Sequence, residues 1–233
     1  MSTIDDAPSK LEVLQRSALL DSLPEEHLAE VAARAKLATV ARGETIWLKG
    51  SNLPFFGVVA SCFVKMMRSS ASGQDVTTEL MGPGQVFGLL GAIDGSGCPQ
   101  TAQAVCDTLY LKVERSHFLT VYNTDTILKD RLLSRTTQRL RGSYDLFAIM
   151  STGKVDQRIA AILLILSESY GDSSPNGTEL QVPLTRQDIA EMAGTTVETC
   201  IRTLSQWQRT GLVTTQQQRV TICDTPSLKK LLS

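Results

Sequence analysis

Two charged residues near the C-terminal end of the chain, Glu198 and Arg202, are four positions apart. In a helix this spacing puts a carboxylate and a guanidinium on one face, one turn apart. A guanidinium can donate two hydrogen bonds to O6 and N7 of guanine, and a carboxylate can accept one from N4 of cytosine. The pair therefore has the chemistry to recognise a G·C base pair in the major groove. The alternative is a surface ion pair between the two side chains.

The segment that must position this pair runs from Leu184 to Leu212, LTRQDIAEMAGTTVETCIRTLSQWQRTGL. Its pattern predicts a helix, a tight glycine turn and a second helix, which together make a helix-turn-helix. Thr185 is a natural N-cap for the first helix, and Asp188 three residues later makes a variant of the capping box. Gly194 can adopt the left-handed conformation that the turn requires.

The second helix, Thr196 to Gln208, is predicted to begin at a Thr195 or Thr196 cap and to have one buried and one exposed face. The predicted buried stripe is Cys200, Leu204 and Trp207. The predicted outward face is Val197, Glu198, Ile201, Arg202 and Ser205. Val197 and Ile201 would contact thymine methyl groups, unless a small rotation of the helix packs one of them inward.

Residues around these helices supply further candidate contacts. Arg186 and Gln187, at the start of the first helix, are predicted to hold phosphate groups. Leu212–Thr214 and Arg219–Ile222 are predicted strands of a β-wing, in which Arg219 can contact the DNA backbone. The full set of candidate DNA contacts is Val197, Glu198, Ile201, Arg202, Thr195, Thr196, Ser205, Arg186, Gln187 and Arg219.

Between Leu37 and Val113, short apolar runs alternate with glycine-containing turns such as Ser72-Gly73, which is typical of an antiparallel barrel or sandwich. Helices are predicted before and after it, at Pro24–Ala35 and Ser116–Tyr122. The predicted strands are Thr45–Leu48, Phe55–Ala60, Phe63–Met67, Thr77–Met81, Gln85–Phe87, Thr101–Val105 and Leu109–Val113.

A long helix is predicted to follow, ending near Ser151. Its seven-residue repeat indicates a parallel coiled-coil contact between two copies of the chain. Packing of an ordinary helix on its own barrel is the alternative. The residues assigned to the dimer contact are Leu133, Thr137, Leu140, Tyr144 and Phe147. Gly153 is the predicted hinge, Val155–Tyr170 the next helix, and Gly171–Gly177 a surface loop.

Composition bounds the class of protein. Net charge is −1 and 42% of residues are hydrophobic, as in a soluble globular protein. From Lys154 to Ser233 eight basic residues balance eight acidic ones, so any affinity for DNA depends on where the charges lie. The longest apolar run, Ile159–Leu166, is too short to span a bilayer, and Met1–Lys10 has no signal-peptide core. We therefore expect a cytoplasmic protein with no membrane partner, whose five scattered cysteines are small buried hydrophobes and bind no metal.

Catalytic motifs are not evident. Gly82, Gly84 and Gly88 are one residue off the dinucleotide-binding fingerprint, and no helix is predicted after them. Turns between strands account for these glycines, and we expect a protein that is not an enzyme.

The chain resembles the CRP/FNR family of bacterial transcription regulators. The resemblance rests on LTRQDIAEMAGTTVETCIRTL, on the barrel segment GPGQVFGLLGAIDGSGCPQTAQAV, and on the long helix between them. It implies a homodimer with a cyclic-nucleotide-binding-type barrel, a dimerisation helix and a winged helix, and RNA polymerase as a partner. Val197-Glu198-Thr199 followed by Arg202 is similar to the FNR branch, although Ile201 stands where that branch usually has serine.

The family also has known effectors. In its cyclic-AMP-binding members a glutamate holds the ribose and an arginine holds the phosphate; the matching positions here are Leu89 and Gln100, the latter before Thr101. Without the guanidinium a buried phosphate has no charged partner, so we do not expect cyclic AMP to bind in the usual way. Because the first cysteine is Cys62, an N-terminal iron–sulfur cluster is not expected either. The candidate effector pocket is Gly88, Leu89, Gln100, Thr101, Ser143 and Tyr144.

These inferences predict an α+β protein with an N-terminal antiparallel β-barrel of jelly-roll type, a long dimerisation helix and a C-terminal winged helix-turn-helix. The predicted division is a tail at 1–22, the barrel with flanking helices at 23–123, the dimer helix at 124–152 and the DNA-binding domain at 153–233. The predicted function is that of a homodimeric transcription regulator, which reads an inverted repeat in double-stranded DNA through Thr196–Gln208. The alternative is a small-molecule sensor or interaction module that acts without DNA.

Overall fold

The computed structural model of the protein describes residues 8–70 and 73–232. Residues 1–7 of the predicted tail and Ser72 of the predicted turn lie outside the described residues. The chain divides into two compact units, Met1–Arg68 with Glu79–Thr137 and Ser69–Thr78 with Gln138–Ser233. The division falls within the long helix rather than at Gly153.

Two four-stranded sheets form the centre of the first unit. The strands are β1 Lys36–Val40, β2 Thr45–Trp47, β3 Phe55–Ser61, β4 Val64–Ser69, β5 Asp75–Met81, β6 Val86–Phe87, β7 Thr101–Ala104 and β8 Thr108–Glu114. Their orders in the two sheets are β1-β8-β3-β6 and β2-β7-β4-β5, which is the jelly-roll arrangement predicted from the sequence. β1 was not among the predicted strands; it pairs antiparallel with β8, and only two of its residues, Ala38 and Val40, are partly buried against the core.

Helices flank these sheets. They are α1 Lys10–Gln15, α2 Glu25–Arg34, α3 Leu89–Asp94 and α4 Arg115–Thr124. The part of the predicted tail from residue 8 onward is instead packed, because Leu14 and Leu20 are fully buried in the same core as Phe56. The expectation that no helix follows Gly88 is also wrong, since α3 begins at the next residue.

A disulfide bond joins Cys62 and Cys106. The expectation that all the cysteines are simple buried hydrophobes is therefore wrong for this pair. It holds for Cys98 and Cys200, which are free thiols and buried. Cys223 is a free thiol that is only partly covered.

The long helix, α5, extends over Thr126–Thr152, and Leu128 is its only buried residue. Four large apolar side chains of the predicted seam face solvent in this chain, with exposed fractions of 67% for Leu133, 49% for Leu140, 63% for Tyr144 and 71% for Phe147. These four side chains therefore form a stripe that is exposed among the described residues.

The second unit continues with helix α6 at Val155–Tyr170, whose apolar side chains form its core. The remaining elements are β9 Gly171–Ser174, β10 Gly177–Leu180, α7 Arg186–Ala193, α8 Val197–Arg209, β11 Val213–Gln216, β12 Arg219–Ile222 and α9 Thr225–Lys230. The segment predicted as a loop at Gly171–Gly177 forms β9 and the turn into β10 instead. The wing is accordingly part of a four-stranded sheet, β11-β12-β10-β9. Among the helices described, none is both long and apolar enough to cross a membrane.

Candidate nucleic-acid interface

The first helix of the motif, α7, begins with the capping box expected from its sequence. Thr185 Oγ1 accepts a hydrogen bond from the backbone N–H of Asp188 at 3.1 Å, and Asp188 Oδ2 accepts one from the N–H of Thr185 at 3.0 Å. This reciprocal pair satisfies backbone donors that a helix N-terminus otherwise leaves unpaired. The position at which α7 begins is therefore fixed by local sequence.

The turn between α7 and α8 depends on Gly194, whose φ of 57° lies in the left-handed region. The guanidinium of Arg158, on α6, donates to the carbonyl oxygen of Gly194 at 3.2 Å. Thr196 then caps α8 by accepting a hydrogen bond from the N–H of Thr199 at 3.3 Å. Both helices of the motif thus begin at threonine caps, and α6 holds the turn that joins them.

The buried face of α8 is the one predicted, since Cys200, Leu204 and Trp207 are all buried. Burial raises the pKa of the Cys200 thiol to about 11, and the positive charge of Arg186 acts in the opposite direction. The Cys200 thiol therefore remains protonated near neutral pH and serves as a small apolar group.

The opposite face of α8 presents Glu198, Ile201, Arg202 and Ser205 to solvent. Ile201 is 46% exposed, whereas Val197 is half-buried at the start of the helix. Neither Glu198 nor Arg202 forms a side-chain hydrogen bond or ion pair with residues 8–70 or 73–232. The surface ion pair that was the alternative explanation is absent from the described chain, so both groups are free to bind a ligand. Ile201 places a methyl-bearing surface between them.

All three candidate phosphate contacts, Arg186, Gln187 and Arg219, already form hydrogen bonds within the protein. Arg186 Nη2 donates to Thr215 Oγ1 at 2.8 Å, which ties the start of α7 to the wing. Arg219 Nη1 forms an ion pair with Glu179 at 2.9 Å and donates to Gln181 Oε1 at 2.7 Å. Arg219 would have to share or leave these partners in order to reach DNA. Gln187 is exposed at the start of α7, and its Nε2 donates to Oε1 of Glu191 at 2.8 Å.

The tip of the wing has an uncommon backbone. Gln217 and Gln218, between β11 and β12, both have positive φ, 46° and 68°. Two consecutive residues with positive φ make the turn type whose twist suits a two-residue hairpin, and glycine or asparagine usually occupies it. Both glutamine side chains are exposed there.

Most of the candidate effector residues lie at the Phe87-Gly88 turn and the start of β7. An aromatic side chain occupies the space between these two segments: Trp47 stacks on Phe87 with ring centroids 5.0 Å apart, and its indole N–H donates to the carbonyl oxygen of Gln100 at 3.2 Å. A Cβ atom at Gly88 would lie 2.7 Å from Cζ2 of Trp47. The indole of Trp47 therefore occupies the space between Gly88 and Gln100.

The other candidate effector residues are placed as follows. Leu89, the first residue of α3, is buried in the core cluster, and Thr101 Oγ1 accepts a hydrogen bond from the N–H of Lys49 at 3.0 Å. Ser143 and Tyr144 belong to the second unit. The hydroxyl of Ser143 donates to the carbonyl oxygen of Arg139 at 2.8 Å, and Tyr144 is exposed.

Comparison with known protein families gives two matches, one to the barrel and one to the helix-turn-helix region. A family model described as a cyclic nucleotide-binding domain matches residues 37–125, and one described as a Crp-like helix-turn-helix domain matches residues 157–231. The chain belongs to the CRP/FNR family of transcription regulators. Proteins of this family with such a helix-turn-helix bind DNA and function as dimers.

Individual CRP/FNR proteins match over most of their length. The transcriptional regulatory protein btr of Bordetella pertussis is 28% identical over 193 residues, which cover 83% of this chain and 79% of that protein. The CRP-like cAMP-activated global transcriptional regulator of Mycobacterium tuberculosis is 22% identical over 219 residues, 94% of this chain and 98% of its own. The solved structure of FixK2 from Bradyrhizobium japonicum has the same fold, with a TM-score of 0.76 at 22% identity over 85% of this chain and 98% of that one. These relatives are regulators rather than enzymes.

Sequence reasoning about this CRP/FNR regulator missed the residues that hold its motif from a distance. Arg158 binds the turn at Gly194, 36 positions away, and Thr215 links Arg186 to the Oε1 atom of Gln208 at 3.2 Å. No local pattern signals such contacts, because the partners are brought together only by the folded domain.

Proposed function

We propose that this CRP/FNR regulator binds an inverted-repeat DNA site as a homodimer and that each copy reads one half-site with α8. The observation that supports this most directly is the exposed face of Glu198, Ile201 and Arg202, whose charged groups have no partner among the described residues. A buried stripe on the opposite side of α8 and two capped helix starts hold that face in one orientation.

The chemistry of this face assigns a role to each side chain. Arg202 donates to O6 and N7 of a guanine, Glu198 accepts from N4 of a cytosine, and Ile201 packs against a thymine methyl group. The exposed Thr196 and Gln187, at the N-termini of α8 and α7, approach the backbone, where helix N-termini favour anions. In this arrangement, side chains on the face of α8 recognise the bases, and the N-termini of α7 and α8 position the protein on the DNA backbone.

Dimerisation through α5 is the second part of the proposal. The stripe of Leu133, Leu140, Tyr144 and Phe147 is large, apolar and uncovered in the single chain. Exposed apolar patches of this kind mark protein–protein contacts, and a parallel pair of α5 helices would cover the stripe with its own copy. A two-fold dimer then presents two α8 helices to two half-sites about one turn of DNA apart.

Control by cyclic AMP in the usual way is not part of the proposal. The mycobacterial relative is named as cAMP-activated, but in this chain an indole packs between the two segments that would hold the nucleotide. Leu89 and Gln100 also supply no charge for a ribose or a phosphate. These features favour control by the abundance of the protein, by another partner or by a different ligand.

Two further assignments follow from a role at bacterial promoters. The protein would work in the cytoplasm, where bacterial DNA is, and RNA polymerase would be its protein partner. The β9–β10 hairpin, whose tip at residues 175–176 includes exposed side chains, is the candidate contact surface.

The test of this proposal is selection of bound sequences from random double-stranded DNA, followed by affinity measurements on the selected site and on its single-base variants. Arg202→Ala should lose about 1–3 kcal/mol of binding free energy and should lose discrimination at one G·C pair per half-site. Lys229→Ala removes the same charge from exposed α9 and should retain that discrimination.

Two results would overturn the assignments. If Arg202→Ala discriminates between the single-base variants as the unaltered protein does, Arg202 does not read a base. If no sequence is enriched with or without candidate ligands, the chain is better described as a sensor or interaction module that acts without DNA.

A further inference from the structure

The disulfide between Cys62 and Cys106 lies where the two sheets of the barrel are connected. Cys62 is in the turn that leads from β3 to β4, and Cys106 is in the turn that leads from β7 to β8. β3 and β8 are neighbours in one sheet, and β4 and β7 are neighbours in the other. The bond therefore joins two adjacent crossings between the sheets.

Both cysteines are within reach of small reagents. Each residue is only half-buried, and Asp107 beside Cys106 is exposed. By contrast, Cys98 and Cys200 are buried, and burial raises the pKa of both thiols. Since the thiolate is the reactive form and reagents must reach it, the pair at the two turns is the more accessible site of thiol chemistry in the barrel.

Two hydrogen bonds also join the two turns, independently of the disulfide. The backbone N–H of Val105 donates to the carbonyl oxygen of Phe63 at 2.9 Å, and the hydroxyl of Thr108 donates to the same oxygen at 3.1 Å. The Cα atoms of the two cysteines are 6.1 Å apart, within the ordinary range for a bridge. The cysteines are 44 positions apart in the chain, but the folded barrel already brings them close together. Forming the bond in the folded protein therefore costs no additional loop-closure entropy.

A permanent disulfide does not suit a protein that acts on bacterial DNA. Thiols are kept reduced where that DNA lies, and disulfides found in such proteins are usually transient and sense redox conditions. If the protein binds DNA as proposed above, its disulfide must therefore be one that forms and breaks reversibly.

We infer that Cys62 and Cys106 form a reversible redox modification site whose reagents are low-molecular-weight disulfides. One cysteine thiolate attacks a sulfur of the reagent, forms a mixed disulfide and releases the other half of the reagent as a thiolate. The second cysteine thiolate then attacks the protein sulfur of that mixed disulfide and releases the remaining half. Two electrons pass from the cysteine pair to the reagent, and the two protons lost by the thiols are taken up by the released thiolates or by solvent.

The test uses the full-length protein, reduced and then freed of reductant. Oxidised glutathione is added to the native protein, free thiols are alkylated, and peptides are mapped by mass spectrometry. We expect a Cys62–Cys106 cross-linked peptide, its disappearance when dithiothreitol is added to the folded protein, and unchanged circular dichroism throughout. The oxidised form should unfold at a temperature roughly 5–10 °C higher than the reduced form, because the cross-link restricts the unfolded chain.

Single substitutions sharpen the assignment. Cys62→Ser and Cys106→Ser each remove the resolving thiol, so each should accumulate a stable mixed disulfide with glutathione on the cysteine that remains. Cys223→Ser removes a partly covered thiol outside the pair and should form the cross-link as the unaltered protein does. If one of these two serine variants fails to fold, the other variant and the unaltered protein still show whether the two cysteines react as a pair.

Three outcomes would overturn the inference. A cross-link that dithiothreitol does not break in the folded protein would make the bond a permanent structural element. Failure of oxidised glutathione to produce it would show that the pair is not a site for this class of reagent. Loss of the native circular dichroism on reduction would show that the bond is required for folding and is not a switchable modification.

Discussion

Arginine side chains around the helix-turn-helix differ in how much of their hydrogen-bonding capacity the protein already uses. Arg186 and Arg219 donate to neighbouring side chains, and Arg158 donates to the turn. Arg202 has no such partner among the described residues. A guanidinium that must exchange an internal partner for a phosphate gains less than a free one. Arg202 is thus the residue whose loss should affect sequence preference most.

The backbone conformation of Gln217 destabilises the folded protein. Its φ of 46° is unfavourable for a residue with a Cβ, so Gln217→Gly should raise the free energy of unfolding by roughly 0.5–1 kcal/mol. Gln216→Gly, one position earlier in β11, is the matched control and should lower it by a similar amount. Urea unfolding of both variants measures the two changes, and a loss of stability in Gln217→Gly would contradict the argument.

At the scale of elements, the local sequence determined some features and not others. The capping box at Thr185 and Asp188 and the left-handed Gly194 were predictable, because each rule involves residues within one helical turn. The segment GDSSPNG has a loop composition, yet its first four residues form β9, which pairs with β10 across a two-residue turn. Distant β12 pairs with the other side of β10 and holds this hairpin in the sheet. β1 was missed because its partner β8 lies about 70 positions later in the chain.

The filled interior of the barrel also could not be foreseen, because the position of Trp47 between Phe87 and Gln100 depends on the pairing of β2 with β7. The sequence did indicate, through Leu89 and Gln100, that the usual ligand-holding charges are missing. It did not indicate that an indole of the chain itself occupies the space.

Trp47 connects elements of both sheets, and its removal should be costly. Trp47→Ala should lower the free energy of unfolding by about 3–5 kcal/mol, because it leaves a cavity beside Phe87. Leu48→Ala, at the next residue, changes a side chain that is 64% exposed and should alter stability by less than about 0.5 kcal/mol. Chemical denaturation of the two variants checks this; equal effects would mean that the indole does not support the barrel core.

At the scale of the whole molecule, the proposed dimer depends on the exposed apolar stripe of α5. The family to which the chain belongs functions as dimers. Base recognition by one α8 covers only a half-site, so specificity for an operator requires two copies in fixed register.

Phe147→Glu tests this assembly. A carboxylate within a paired apolar seam should weaken the dimer by about 2 kcal/mol or more, roughly thirtyfold in its dissociation constant. Ala148→Glu adds the same charge one position away, outside the seam, and should leave the dimer intact. Sedimentation equilibrium measures both constants. Equal dimerisation of the two variants would mean that the seam of α5 is not the contact.

The uncovered stripe on α5 also affects how steeply such a regulator responds to its own production. Two newly made chains must meet before an operator can be filled, so at low expression the filled fraction grows with the square of the chain concentration rather than in proportion to it. A gene controlled in this way keeps one level of expression while synthesis of the regulator is slow and changes to another over a narrow range of synthesis rate.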